Sequence, residues 1–268
     1  LKDQDLLFRT TPSDLYQGSV MARLLRSKGI DRIAITYVNN DYGKGFADAL
    51  AAAFTTAGGK IEANEPHEEG KADYRAKIRT LASSGVGTLV VLAYANGSGQ
   101  TILRQAVESG DFDQFVGGDG MVNDTLIGAI GADKLRGMIA TKPGVPNTKG
   151  ARVFKRLAWG DDLNPTATFA AQSYDAAFLL ALAIEKNGSA VREGLSKALR
   201  AVASAPGEVI LPGEWQKAKD LLQAGKAINY EGATGSLEFD KAGDVSGVII
   251  ELGVYVNFGA FIEFGQIQ

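Results

Sequence analysis

The stretch at residues 32–50, RIAITYVNNDYGKGFADAL, constrains the fold more than any other part of the chain. Residues 33–38 form a short apolar, partly β-branched run, the pattern of a strand covered on both faces. A polar turn at 39–41 follows, and a helix opens at 42–45. Asp41 is placed to cap that helix by accepting a hydrogen bond from a free backbone N–H. In an open parallel sheet, ligands bind in the crevice beyond the carboxyl ends of the strands. Asn39, Asn40, Asp41 and Tyr42 fall at that edge, so this turn is expected to form one wall of any site.

The same alternation runs through the first half of the chain. Pro12-Ser13-Asp14 starts a helix with Leu15, Val20, Met21, Leu24 and Leu25 on or near one face, ended by Lys28-Gly29. The helix after residue 42 carries Phe46, Ala49, Leu50, Ala53 and Phe54 and stops at Gly58-Gly59. A short strand at 60–65, a charged loop at 67–71, a helix at 74–84 and the apolar strand 88–93 (TLVVLA) come next. A helix at 100–109, a strand at 115–118, a short helix at 124–130 and a strand at 137–141 complete the series. Strands alternating with amphipathic helices predict a parallel, doubly wound α/β sheet.

Residues 142–150, KPGVPNTKG, have two prolines, two glycines and no apolar periodicity, and read as a linker. Helices at 151–158, 168–186, 190–202 and 216–224 follow. The second of these, TFAAQSYDAAFLLALAIEK, is apolar nearly all round and is expected to be buried. Strands at 235–239, 248–256 and 260–264 close the chain.

Composition excludes several chemistries. The 268 residues carry a net charge of −3, no cysteine and one histidine, His67. Disulfides, thiolate–zinc sites, cysteine nucleophiles and sites needing two histidines are ruled out, so no metal and no catalytic set is expected. An acidic chain gives no support to a nucleic-acid surface. No stretch approaches the roughly twenty apolar residues of a membrane span. The start, LKDQDLLFRTTPSD, lacks a charged-then-apolar signal pattern; the expectation is that an export signal was removed or that the chain begins inside a longer product.

Three predicted strand ends share one edge: 39–42, 94–98 and 119–121. Asp119, within Gly117-Gly118-Asp119-Gly120, has two readings. It can bind a ligand ammonium through charge-assisted hydrogen bonds, or bond its own backbone in a turn. Tyr42 and Tyr94 offer an apolar ring with a polar tip, suited to covering a small amphiphile or to ordinary packing. Residues 94–99 are glycine-rich and lead into a helix, which can cradle an anion. They lack the lysine and Ser/Thr of a phosphate-binding loop, and no GxGxxG follows any strand, so no cofactor is expected. His67 lies in an acidic stretch and is expected at the surface, and Trp215 is expected to pack. The sequons at Asn96, Asn123 and Asn187 are weak patterns.

The ordered series RIAITYVNNDYGKGFADAL, DYRAKIRTLASSGVGTLVVLAYANGSGQTILRQA, FVGGDGMVNDTLI with GMIAT, TFAAQSYDAAFLLALAIEKNGS and INYEGATGSLEFDKAGDV resembles the type I periplasmic binding proteins. Within them it is most similar to the substrate-binding subunits of branched-chain amino-acid ABC transporters. The resemblance implies a bilobed α/β receptor, each lobe a doubly wound parallel sheet, that closes over a small solute and presents it to permease subunits outside the cytoplasm. Residues 1–141 correspond to the second lobe, 142–245 to the helical remainder of the first, and 246–268 to strands returning to the second. Asp119 takes the position that binds the ligand's α-amino group, and Tyr42 matches the tyrosine of the DYG motif. Tyr94 or its neighbours take the aromatic strand-end position. Ala95 and Asn96 fall where some relatives have bulkier residues. With Met121 these make the expected ligand-binding set, for an amino acid, an amide or an aromatic acid.

Relatives usually begin with a longer first-lobe segment that holds the ligand carboxylate. The expectation is therefore a truncated or proteolysed chain, or a dimer covering the helix at 168–186. The expected role is non-enzymatic. A ligand-sensing regulatory domain of the same fold is the alternative, and an enzyme of flavodoxin-like or Rossmann type is disfavoured by the missing phosphate signatures.

Overall fold

The computed structural model describes residues 6–267. The elements in chain order are α1 (Asp14–Ser27), β1 (Arg32–Val38), α2 (Asp41–Thr56), β2 (Lys60–His67), α3 (Arg75–Ala82), β3 (Thr88–Leu92), α4 (Ser98–Ser109) and β4 (Gln114–Gly117). A 3₁₀ turn (Asp119–Met121) precedes α5 (Asp124–Ile130) and β5 (Ile139–Pro143). Next come α6 (Lys149–Gly160), α7 (Ala170–Asn187), α8 (Leu195–Ala203), β6 (Glu208–Ile210), α9 (Trp215–Gln223), β7 (Ile228–Gly232) and β8 (Gly235–Ser236). The terminal pair is β9 (Ile249–Tyr255) and β10 (Ala260–Ile267).

The chain divides into two compact units. The larger comprises Asp14–Lys142 together with residues 249–267, and its seven-stranded sheet has the order β10-β9-β5-β4-β3-β1-β2. The pairs β1–β2, β1–β3, β3–β4 and β4–β5 are parallel, and β9–β10 is antiparallel. Both faces are covered, as a parallel sheet requires. Ile33, Ile35, Val90 and Leu92 pack with Met21 and Leu25 of α1 and Phe46, Leu50 and Phe54 of α2. The alternate residues Ala34, Val38, Leu89 and Val91 pack with Ile78 and Leu81 of α3, Ile102 and Leu103 of α4 and Leu126 of α5. The period-two alternation of two apolar strands thus divides the core between two helical layers.

The smaller unit comprises residues 6–13 and Pro143–Val248. Its three-stranded sheet pairs β6 with β7 in parallel and β7 with β8 antiparallel. Leu179, Leu182, Val202, Ile210, Ala218, Ile228 and Tyr230 form its core, with Phe178 and Trp215 against them. Residues 6–13 fall here rather than with the Rossmann-like part. Arg9 pairs with Asp244, Thr10 donates to the carbonyl of Gln172, and Phe8 meets Phe239 edge-on.

Several expectations are corrected. The linker at 142–150 starts at the unit boundary, but Lys149 and Gly150 already belong to α6, capped by Thr148 Oγ1 on the Ala151 N–H at 3.1 Å. α7 is not buried all round: Ser173, Ala176, Ala177 and Leu180 form an exposed stripe opposite Ala171, Asp175, Leu179 and Leu182. α8 begins at Leu195, because Gly194 in the left-handed region and the Asn187 side chain, bonded to the Ser189 and Glu193 carbonyls, close a turn before it. Asn40, not Asp41, caps α2. Its backbone is extended and its Oδ1 accepts from the Gly43 N–H at 2.9 Å, leaving Asp41 as the first helical residue. Among the described residues no helix is long and apolar enough to cross a membrane.

Candidate functional site

Because β1, β3 and β4 are parallel neighbours in register (Tyr37 opposite Leu92, Val91 opposite Gly117), their carboxyl ends meet at one edge of the larger unit. The turn after β1, the loop after β3 and the 3₁₀ turn after β4 therefore bring together Tyr42, Tyr94 and Asp119. The two tyrosine rings stack, with centroids 5.4 Å apart and planes at 23°. Tyr42 Oη donates to Asp119 Oδ1 at 3.4 Å and accepts from the Gly120 N–H at 3.3 Å. Asn40 Nδ2 donates to Tyr94 Oη at 3.3 Å, so the residue that caps α2 also steadies the outer ring. Tyr94 is 37% exposed and gives the edge an aromatic rim.

Backbone close approach makes this convergence possible. A Cβ on Gly120 would lie 2.5 Å from the Ala93 carbonyl and 3.0 Å from Tyr42 Oη. The Ala95 N–H donates to the Gly120 carbonyl at 2.8 Å, tying the two loops together. Ala95 and Met121 are buried in the core of this unit. What Ala95 brings to the edge is its backbone bond, and Met121 packs beneath. Asn96 is exposed on the same loop.

Asp119 is half-buried, and removal from water is the main reason its carboxyl is pushed up to about 6; the neighbouring charge of Asp14 adds to this. Its own backbone N–H opposes the shift most, as in an aspartate turn, followed by Gln17 Nε2, which donates to Asp119 Oδ1 at 3.2 Å, and by Tyr42. Burial and then the Asp119 charge hold the Tyr42 phenol well above its ordinary value. Gln17 also donates to Thr141, to its carbonyl at 3.0 Å and its Oγ1 at 3.1 Å, so α1 and β5 set the height of the carboxylate. Sequence reading missed Gln17. The available signal was a polar residue on the apolar stripe shared with Val20, Met21 and Leu24.

Two further expectations change. The 94–99 loop does cradle an anion, but the anion is the protein's own: Glu69 accepts from the Ser98 N–H and from Ser98 Oγ, both at 2.8 Å. His67 is not at the surface but buried at the end of β2, between Thr36 Oγ1 at 2.9 Å and Ser98 Oγ at 3.0 Å. Burial pushes its imidazole down to about 4. Trp215 packs edge-on against Phe178, as expected. Asn123 caps α5 through the Thr125 N–H.

An acid and two phenols on one rim can hold a small solute bearing an ammonium group and an apolar portion. Residues 1–252 match the family described as the receptor family ligand binding region. The leucine-, isoleucine-, valine-, threonine- and alanine-binding protein of Pseudomonas aeruginosa is 30% identical over 246 residues, which is 90% of this chain and 57% of that protein. The chemotactic signal transduction system substrate-binding protein BasB of Halobacterium salinarum is 26% identical over 92% of this chain and 58% of its own length. The chain thus spans less than three fifths of these two relatives. The crystal structure of a leucine-binding protein, LivK, from Thermotoga maritima superposes with a TM-score of 0.78 and 22% identity, covering 100% of this chain and 69% of that one. With its doubly wound sheet and its strand-end rim, the chain has the type I periplasmic-binding-protein fold and belongs to the receptor family ligand-binding region.

Proposed function

We propose that the chain is the solute-binding receptor of an ABC importer, taking an amino acid or a related small polar organic molecule and delivering it to membrane permease subunits outside the cytoplasm. The observation that carries this reading is the meeting of Asp119, Tyr42 and Tyr94 on one rim. Asp119 accepts the ligand's ammonium, and the stacked tyrosines cover its apolar part. A carboxylate held at about 6 by poor solvation gains most from a cation, because the ligand supplies the counter-charge that burial took away. The names of the relatives support branched-chain and small aliphatic amino acids as the first ligands to try. In this reading the larger unit is the second lobe and the smaller unit the helical remainder of the first.

The test is a thermal-shift and calorimetric screen of the protein with amino acids, amides and aromatic acids, since a ligand bound only to the native state raises its midpoint. L-Leucine is expected to bind, and Asp119→Ala to weaken it by roughly 2–5 kcal/mol, the cost of leaving a buried charge unpaired. Unchanged affinity in the variant overturns the assignment of Asp119. A second reading, a ligand-sensing domain of the same fold, is favoured by the chemotactic relative. It predicts the same binding with a signalling protein, not a permease, as the partner that co-purifies.

A further inference from the structure

His67 occupies an unusual place for the chain's single histidine. It ends β2, is 4% exposed, and bridges β1 to the first residue of α4. Counting protons fixes how the bridge works. Ser98 has one hydroxyl proton, and it goes to the Glu69 carboxylate at 2.8 Å. Ser98 Oγ therefore accepts from His67, so the ring carries its proton on Nε2. Nδ1 is then the acceptor for the Thr36 hydroxyl, whose proton is shared with the Glu65 carbonyl at 3.1 Å. With the imidazole neutral and the proton on Nε2, Ser98 and Glu69 are fully served, and the single Thr36 proton is shared between Nδ1 and the Glu65 carbonyl.

The same residue touches both loops of the rim. Its carbonyl accepts from the Asn39 N–H at 2.8 Å, at the start of the turn that leads to Tyr42. Asn39 Nδ2 donates to Glu68 Oε1 at 2.7 Å, which ties that turn to the residue after the histidine. On the other side, Ser98 closes the loop that begins at Tyr94, whose carbonyl accepts from the Gly97 and Gly99 N–H groups. Tyr74 meets the imidazole edge-on at 5.7 Å, and its Oη donates to the Glu68 carbonyl at 2.6 Å. The ring faces Glu69 and Glu68 on its own segment and Lys77 on α3.

We propose that His67 is a positioning residue of the rim: through its Nε2–H bond to Ser98 it holds the 94–98 loop where Tyr94 stacks on Tyr42, and so sets the affinity of the site. The consequence for affinity rests on the receptor reading above; the effect on the loop does not.

The test separates the two ring nitrogens in the full chain. Gln places an amide nitrogen near Nε2 and can keep the Ser98 bond, whereas Asn reaches only the Nδ1 side. Amide hydrogen exchange of the unliganded protein is read at Ala95, Gly97, Ser98 and Gly99, and L-leucine is titrated by calorimetry. His67→Asn is expected to speed exchange at these amides by roughly tenfold or more and to weaken L-leucine by about tenfold. His67→Gln is expected to match wild type on both readouts. Equal behaviour of the two variants, as a packing role predicts, overturns the proposal, and so does unchanged exchange in His67→Asn. If the His67 variants fail to fold, Ser98→Ala removes the contact from the α4 side; faster exchange at 94–99 supports the brace and unchanged exchange refutes it. A wild-type chain that does not take L-leucine counts against the receptor reading alone, and the exchange comparison still decides the role of His67.

Discussion

Asp119 and Asp175 are both carboxylates set among apolar side chains, one in each unit, and burial raises both. Asp175 is fully buried on α7 and accepts four hydrogen bonds: Tyr230 Oη at 2.7 Å, the Ala233 and Thr234 N–H groups at 2.8 Å each, and Thr234 Oγ1 at 2.6 Å. A carboxylate has about four acceptor positions, so this one is saturated from within. Asp119 receives two longer side-chain bonds, 3.2 Å from Gln17 and 3.4 Å from Tyr42, both on Oδ1. The first acid is a structural joint between helix and strand. The second has its own backbone N–H and two longer side-chain donors, fewer than the first, and an acid with acceptor capacity to spare is the one that gains from a cation. Burial does not tell the two acids apart; the supply of internal donors does.

The comparison can be broken most severely at Asp175. Asp175→Ala leaves two backbone N–H groups, a phenol and a hydroxyl without their acceptor, and is expected to destabilise the smaller unit by about 3 kcal/mol or more. Urea denaturation reads this directly, and a loss below about 1 kcal/mol would contradict a saturated joint. Gly232→Ala attacks the same joint, because a Cβ there would sit 2.6 Å from Asp175 Oδ2.

Asp119→Asn is expected to act in the opposite direction on stability. The folded value of about 6 lies above the ordinary carboxylate value of 3.8, so the stability that Asp119 confers is present in full below about pH 4 and lost as pH rises to 6. Removing the charge should stabilise the protein at pH 7 by roughly 1–2 kcal/mol, less than the full shift because Gln17 and Tyr42 lose an ionised acceptor. It should also flatten the dependence of the thermal midpoint on pH between 4 and 6. A destabilised Asp119→Asn would place this residue with Asp175. The smallest effect is expected from Tyr42→Phe, which loses two long hydrogen bonds but keeps the stacked ring; stability should change by less than about 1 kcal/mol, measured by the same denaturation.

The fold was legible because the strands at 33–38 and 88–92 are apolar on both faces and their helices end at glycines. The rim was legible for the same reason, since parallel strands force their ends together. What stayed hidden were polar residues on apolar stripes. Gln17 shares a helix face with Val20, Met21 and Leu24, and Asp175 shares one with Ala171, Leu179 and Leu182. A periodicity argument counts such positions as interruptions, whereas each is the donor or acceptor that a distant segment needs. His67 escaped for a related reason. Its acidic neighbours are indeed exposed, yet His67 itself is the last residue of β2 and its ring points between Thr36 and Ser98. The cap at Asn40 was displaced by one residue, which the hydrogen-bond geometry decides and the composition of Asn39-Asn40-Asp41 does not.

The most direct measurement is the titration of the Asp119 carboxyl carbon by NMR, with and without saturating L-leucine. The account predicts a midpoint near 6 in the free protein and a carboxylate that stays ionised well below that pH in the complex, with affinity rising as pH increases through 6 and levelling off above it. A midpoint that L-leucine leaves unmoved would contradict it.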